Sequence, residues 1–359
     1  MARSEPPYAR LTPERILDAL DAVGLRGDGR FLALNSYENR VYQVSLEDGR
    51  TVVAKFYRPG RWSDAQILEE HAFVAELAGR EIPVVAPMPL QPAAAGHAGP
   101  VQQRPAEGGG AAPARADPPA AQPATLASFD GFRFAVYPRR GGRAPELDDP
   151  ATLEWIGRFI GRIHAVGAIA PFVHRPALDP VAFGEEPRDW LLAHERIPAD
   201  LLPAWRGIVD QALQAVQRAF DRAGHVRTLR LHGDCHAGNV LWTEQGPHFV
   251  DFDDARSGPA VQDLWMLLSG DRAAMARQLS DVLAGYEDFA EFDRRELQLV
   301  EPLRTLRLIH YSAWIARRWD DPAFPAAFPW FGSQRYWQDR VLELREQVAA
   351  MQEPPIDGV

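Results

Sequence analysis

The chain has 359 residues, 46% of them hydrophobic, with a net charge of −10 and a single cysteine. That size is enough for two compact units with real cores. The acidic balance excludes nucleic acid as the main partner, since a phosphate backbone is bound by a basic surface, and one cysteine excludes an internal disulfide. Met1–Arg10 is polar and Pro-rich and no run of ~18 apolar residues occurs, so the expectation is a soluble, cytoplasmic protein without membrane contact, acting as a monomer.

Thr12 as N-cap and Pro13 at the first helical position open a helix that runs to Val23 and stops at Gly24. Three strands follow, Phe31–Ser36, Arg40–Leu46 and Thr51–Tyr57, joined by turns at Tyr37-Glu38-Asn39 and Glu47-Asp48-Gly49-Arg50. Apolar spacing at Ile67, Phe73, Val74 and Leu77 predicts a helix over Asp64–Leu77. Ile82–Leu90 reads as an extended strand interrupted by Pro83, Pro87 and Pro89, and Gly131–Pro138 as another. Between them, 25 of the 38 positions in 91–128 are Ala, Gly or Pro. Such a composition cannot bury enough apolar surface to offset its ordering entropy, so a disordered insertion within one sheet is expected.

Tyr137–Arg143 reads as a hinge. It closes an N-terminal lobe over 1–148 and leads to a C-terminal lobe over 149–359. There Leu153–Val166, Asp189–Ile197, Trp205–Ala223, Ala260–Leu268, Ala273–Phe289 and Arg294–Arg318 carry helical patterns. Val240-Leu241-Trp242 and His248-Phe249-Val250, joined by Glu244–Pro247, read as a β-hairpin.

Residues 231–242 and 249–254 carry the chemistry. In Leu231-His232-Gly233-Asp234-Cys235-His236-Ala237-Gly238-Asn239-Val240-Leu241-Trp242, Asp and Asn stand at the spacing of a His-x-Asp-x-x-x-x-Asn loop. In such a loop the Asp accepts a hydroxyl proton and the Asn holds Mg²⁺. Gly233 and Gly238 suit a backbone folded tightly around a metal. The hairpin returns Asp251 opposite Asn239, as a further ligand of metal that bridges ATP phosphates, with Asp253 a second candidate. His232, Cys235 and His236 lack the paired, separated ligands of a structural zinc motif.

Lys55 lies in the third strand, where it reaches the α and β phosphates if a helix supplies a Glu partner. Glu70 is the preferred partner and Glu69 the alternative. No Gly-x-Gly-x-x-Gly loop precedes this strand, and Leu34–Asn39 stands in its place. Ser36 there either offers its hydroxyl and N–H to a phosphate or caps the hairpin. Asp263 is expected to orient the catalytic loop by accepting hydrogen bonds from its backbone, and His164 to be a core residue. Arg304, Arg307, Tyr311 and Trp314 share a helix face, read as a packing stripe in preference to an acceptor surface, with Phe328-Pro329-Trp330-Phe331 beside it.

Asn35–Tyr42, Val53–Pro59, Phe134–Pro138, Leu231–Trp242 and Phe249–Leu267 together resemble the aminoglycoside phosphotransferase and choline kinase-like superfamily. Within it the chain is similar to the stress response kinase A family of bacterial Ser/Thr protein kinases. The resemblance implies an α+β, two-lobed protein kinase-like fold, with a small β-rich N-terminal lobe and a larger, mostly helical C-terminal lobe. It implies ATP as co-substrate, Mg²⁺ as the metal, Ser/Thr hydroxyls of proteins as acceptors, and autophosphorylation. By similarity Asp234 is the proton acceptor, Asn239 and Asp251 the Mg²⁺ ligands, and Ser36 a nucleotide-site residue. Two other readings stand beside it. A small-molecule kinase for an amino alcohol, sugar or aminoglycoside-like metabolite would use Asp253 and Asp254 in its acceptor pocket. A non-catalytic nucleotide-binding regulator would lack the Lys, Asp or Asn, and none is missing.

Overall fold

The structure, a computed structural model, describes residues 6–91, 99–100 and 124–356. The chain forms two compact units, one of the residues up to Ala78 with Val85–Arg140, the other of Gly79–Val84 with the residues from Gly141 onward. Among the described residues no helix is long and apolar enough to cross a membrane.

In the first unit, α1 (Pro13–Asp21) starts where Thr12 accepts the Arg15 N–H. It ends short of Val23, in a turn that brings Gly24 to φ +77°. β1 (Gly27–Ala33), β2 (Arg40–Leu46), β3 (Thr51–Phe56), α2 (Asp64–Gly79), β4 (Gly99–Pro100), β5 (Ala127–Phe129) and β6 (Phe132–Pro138) follow. The strands form one antiparallel sheet in the order β1-β2-β3-β6-β5-β4. Its inner face packs Val44, Leu46, Val52, Phe56, Phe134 and Val136 with Ile16 and Leu20 of α1. Burial of this apolar face, at about 25 cal/mol per Å², is what holds so small a sheet together.

Three expectations for this unit need correction. β1 stops at Ala33 and not Ser36, because side chains bind the next residues' backbone: Ser36 Oγ donates to the Asn39 carbonyl, and Asn39 Oδ1 accepts the Arg58 N–H. Ile82–Leu90 is not a strand, since three prolines without N–H groups break any ladder. Its remaining amides act singly, Met88 donating to the Val136 carbonyl and Leu90 to that of Ala124. The expected insertion over 91–128 overran the sheet: Leu126 and Ala127 are buried, and β5 pairs with β6. The rest of that insertion, 92–98 and 101–123, lies outside the described residues.

The second unit contains α3 (Pro150–Gly167), α4 (Glu186–Ala193), α5 (Leu202–Ala223), β7 (Leu229–Leu231), β8 (Val240–Thr243), β9 (Gly246–Phe249), β10 (Arg256–Gly258), α6 (Gln262–Trp265), α7 (Arg272–Tyr286), α8 (Val300–Arg317), α9 (Ala323–Ala327) and α10 (Gln334–Ala350). The stretch read as one helix over 260–268 is only the single turn α6, and that over 294–318 divides into a 3₁₀ segment, Arg294–Leu299, and α8. The hairpin is tighter than expected: Pro247 pairs with Trp242 inside β9, and Gly246 at φ +101° completes the turn. α10 has no counterpart in the sequence expectations, although Ser333 caps it by accepting the Tyr336 N–H.

α3 and α7 approach so closely that side chains are excluded on both faces. A Cβ on Gly157 would lie 1.9 Å from the Val282 carbonyl oxygen, and one on Gly285 1.9 Å from that of Glu154. These are backbone atoms and cannot rotate away. Gly157→Ala is therefore expected to destabilise the fold by about 1–3 kcal/mol, the usual cost of overpacking. Gly207→Ala, in a helix position with nothing within 4 Å of the added methyl, should be neutral or stabilising by up to about 1 kcal/mol. Calorimetric melting of both variants checks this; equal melting temperatures would contradict it.

Candidate active site

The Leu231–Trp242 loop starts where β7 ends and is held from behind by one carboxylate. Asp263 is 1% exposed; its Oδ2 accepts the His232 N–H and its Oδ1 the Gly233 N–H, both at 2.8 Å. His164 Nε2 lies 3.1 Å from the same Oδ2, and its Nδ1 3.0 Å from the Tyr286 hydroxyl. The neighbouring Gln262 donates to the Gly233 carbonyl at 3.1 Å. Glu296 accepts the Val261 N–H at 2.9 Å, and burial pushes its carboxyl up to about 7. Asp263 thus has the orienting role expected of it, and His164 is the core residue expected.

Gly233 has φ +86°, and a Cβ there would lie 2.2 Å from the Asp254 carbonyl oxygen. Only glycine lets the loop come this close to the 251–254 segment. Gly238 differs: its φ is not positive, and the space over it is filled by the His236 ring. His232 braces the loop with both ring nitrogens, Nδ1 accepting the Asp234 N–H at 3.3 Å and Nε2 donating to the Val250 carbonyl at 2.8 Å. Cys235 is buried, which pushes its thiol well above the ordinary range, the setting of a structural rather than a nucleophilic cysteine.

Asp234, Asn239 and Asp251 are brought to one end of the β8–β9 hairpin. Asn239 Nδ2 donates to the Asp234 carbonyl at 2.9 Å, and the Val250 N–H to the Asn239 carbonyl at 3.0 Å. The first bond fixes the amide so that Oδ1 remains available to a cation. Asp251 is exposed and sits in the left-handed region, φ 61° and ψ 60°. For a non-glycine residue that conformation costs on the order of 1 kcal/mol and concentrates at functional sites. Asp253 is 4% exposed, and Asp254 accepts from Arg256 at 2.7 Å.

Burial pushes the Asp234 carboxyl up, but a hydrogen bond from His236 and the charge of Arg307 outweigh it and hold the group below the ordinary carboxylate range. Arg307 Nη1 donates to Oδ1 at 2.6 Å, and His236 Nε2 lies 3.4 Å from Oδ2. Asp234 is therefore ionised at neutral pH.

Ser36, Lys55 and Glu70 lie in the first unit. Lys55 is in β3, opposite Ala135 of β6 and Val41 of β2, and only 7% exposed. Glu70 on α2 is 3% exposed, whereas Glu69 is half-buried. The Ser36 hydroxyl, with its bond to the Asn39 carbonyl, serves the turn. The loop before β2 is pinned by side chains where a glycine-rich loop would be free: Arg58 and Arg61 lie 3.7 and 3.9 Å from Glu38 Oε1.

A family model described as the phosphotransferase enzyme family matches residues 30–300. Stress response kinase A of Escherichia coli strain K12 is 44% identical over 356 residues, covering 99% of this chain and 98% of that protein. The chain belongs to the stress response kinase A family. It is a phosphotransferase and an ATP-dependent kinase. A further relative, serine/threonine protein kinase RdoA of Salmonella typhimurium, is 43% identical over 349 residues, 97% of this chain and 96% of its own. Among solved structures, an amicoumacin kinase in complex with AMP-PNP, Ca²⁺ and Ami matches with TM-score 0.66 at 18% identity, over 96% of this chain and 94% of its own. A microcompartment-associated aminopropanol kinase matches with TM-score 0.65 at 16% identity, over 94% and 95%. The kinase-like fold is shared with both.

Sequence reasoning missed two supports of this family member's loop. Arg175, 5% exposed, donates through Nε to the Ala255 carbonyl at 2.8 Å and through Nη2 to that of Asp253, clamping the 251–255 segment from behind. Arg307 was visible only as one member of a helix face, which the structure divides. Tyr311 and Trp314 pack on Phe328, while Arg304 and Arg307 stand beside Asp234 and Trp265.

The sign of the Asp234 shift sets a pH dependence. A depressed carboxyl keeps its charge above the depressed value and loses it only as pH falls through that value. Arg307→Met removes an opposing positive charge, so the acid limb of kcat/KM should move to higher pH than in the parent. Rate profiles from pH 4 to 8 at constant ionic strength check this; an unmoved limb would show that Arg307 does not set the charge of Asp234.

Proposed function

We propose that the chain is a Mg²⁺-dependent Ser/Thr protein kinase that phosphorylates itself and protein partners and acts in a stress response. The observation that carries this reading is the gathering of Asp234, Asn239 and Asp251 at one hairpin end, in a chain whose full-length relatives bear the names of stress response and serine/threonine kinases.

In the proposed reaction the acceptor hydroxyl oxygen attacks the γ-phosphorus of ATP. The bond from that phosphorus to the β–γ bridging oxygen breaks, ADP leaves, and the hydroxyl proton passes to an Asp234 carboxylate oxygen. Because Asp234 is held below the ordinary range, it is a weak base. It orients the hydroxyl and takes the proton as the new P–O bond forms, in keeping with a transfer governed by positioning and electrostatics.

The oxygen donors fit Mg²⁺, which takes one or two carboxylates and leaves its other positions to water and phosphate. Asn239 Oδ1 and the exposed Asp251 carboxylate would hold it, and when bound it would neutralise charge on the phosphates. Among the described residues no group of three or more His, Cys, Asp or Glu is arranged to hold a metal, so an ion here would complete its shell with phosphate and water. Lys55 would engage the nucleotide phosphates, with Glu70 as its partner in preference to Glu69, since a buried Lys and a buried Glu both require opposite charge. Ser36 would present its backbone to the nucleotide while its hydroxyl holds the turn. Asp254, which a cationic small acceptor would need, is committed to Arg256.

Incubation of the full chain with Mg·ATP, followed by mass spectrometry, should find phosphate on Ser or Thr. Asp234→Asn should lower transfer by about 10²–10⁴-fold with Mg·ATP affinity retained, and Asp251→Ala should weaken Mg·ATP binding itself. Phosphorylation of Asp234→Asn at the parental rate would overturn the assignment.

A further inference from the structure

Beside Asp234, within the second unit, lies a cavity of about 390 Å³ that the phosphoryl-transfer chemistry does not use. Its wall includes His236, Trp265, Met275, Arg304 and Arg307, and no carboxylate. The volume falls in the range of about 300–1,000 Å³ typical of ligand sites. Two wall residues also touch the proton acceptor: Arg307 at 2.6 Å from Oδ1 and His236 at 3.4 Å from Oδ2. Whatever fills the cavity therefore touches two of the groups that hold the Asp234 carboxylate.

The charged side chains that face the cavity are two guanidinium groups, each held by one carboxylate that does not line it. Arg304 lies over the Trp265 ring at 5.4 Å and is paired on one side with Glu301 at 3.2 Å. Arg307 is 45% exposed and spends a single N–H on Asp234. A guanidinium has five N–H donors in a fixed fork, so Arg307 can hold Asp234 and a second carboxylate together. An acceptor bearing an ammonium group beside its hydroxyl would meet two guanidinium groups, a like-charge contact that selects against it. An acceptor bearing a carboxylate would make charge-assisted, bidentate bonds.

We infer that this cavity is a recognition site for the acceptor, taking an acidic side chain that lies close to the phosphorylated Ser or Thr in a protein segment. This rests on the Ser/Thr kinase reading above and specifies its substrate. Arg304 and Arg307 are one helical turn apart, about 4.5 Å along α8. Arg307 itself touches Asp234, and an extended peptide advances about 3.3 Å per residue, so one or two residues span the step from Arg307 to Arg304, and the acidic residue is expected at that short distance from the acceptor.

The test uses the full chain, Mg·ATP and three peptides with one Ser flanked on both sides by two Glu, two Gln or two Lys. The expected result is a KM for the Glu peptide about tenfold below that of the Gln peptide, and the poorest turnover with the Lys peptide. Arg304→Gln should raise KM for the Glu peptide far more than for the Gln peptide, and Arg304→Glu should reverse the order of the Glu and Lys peptides. Equal KM for all three peptides in the parent, or preference for Lys, overturns the inference without recourse to any variant. If no peptide is phosphorylated but a small hydroxy acid is, with the same dependence on Arg304, the anion site stands and the Ser/Thr reading falls. If only an amino alcohol such as ethanolamine is phosphorylated, both fall.

Discussion

A carboxylate buried to 1% exposure, Asp263, is the point from which the loop carrying Asp234 and Asn239 is suspended. Removing such a group from water costs several kcal/mol unless its lone pairs are met. They are met by two backbone amides and an imidazole. The amides belong to His232 and Gly233, directly before Asp234, so satisfying Asp263 and placing Asp234 are one requirement. The rest of the loop follows: His232 ties it to Val250, and Asn239 is bound back to the Asp234 carbonyl. Gly233 allows the close approach to the 251–254 segment that Arg175 secures from the other side.

The first unit meets a related demand by other means. Where glycines would give a mobile phosphate loop, residues 34–39 are fixed by Ser36, Glu38 and Asn39 to their own turn and to the end of β3. Such a loop loses less entropy on binding, because its conformation is already set. Lys55 and Glu70 are both buried in this same unit.

Much of this was legible in the sequence where the information is local. The Thr12 cap, strands β2 and β6, helix α2 and the short loop from Asp234 to Asn239 are each encoded by residues within a few positions of one another. The failures share a different cause. Ile82–Leu90 is extended but makes only isolated backbone bonds and no ladder, because its prolines remove donors that an apolar pattern does not count. Arg307 meets Asp234 across 73 positions, and Arg175 reaches the Ala255 carbonyl across 80. A solvent-compatible Arg carries no local sign of the distant oxygen it will find. α10 is an exception, legible from local signals alone: Ser333 is an ordinary N-cap, and the buried Trp337, Val341 and Leu344 recur at the four- and three-residue spacing of one helix face.

Asp263→Asn, followed by amide hydrogen exchange and phosphoryl transfer on the same sample, tests the dependence of the site on this one carboxylate. Asparagine keeps the shape but has one acceptor oxygen, so at least one of the His232 and Gly233 amides faces an NH₂ group. The account predicts faster exchange at those two amides, by about tenfold or more, confined to the loop, with transfer reduced in parallel and the remaining helices protected as before. Loop amides as protected as in the parent, together with parental turnover, would contradict it.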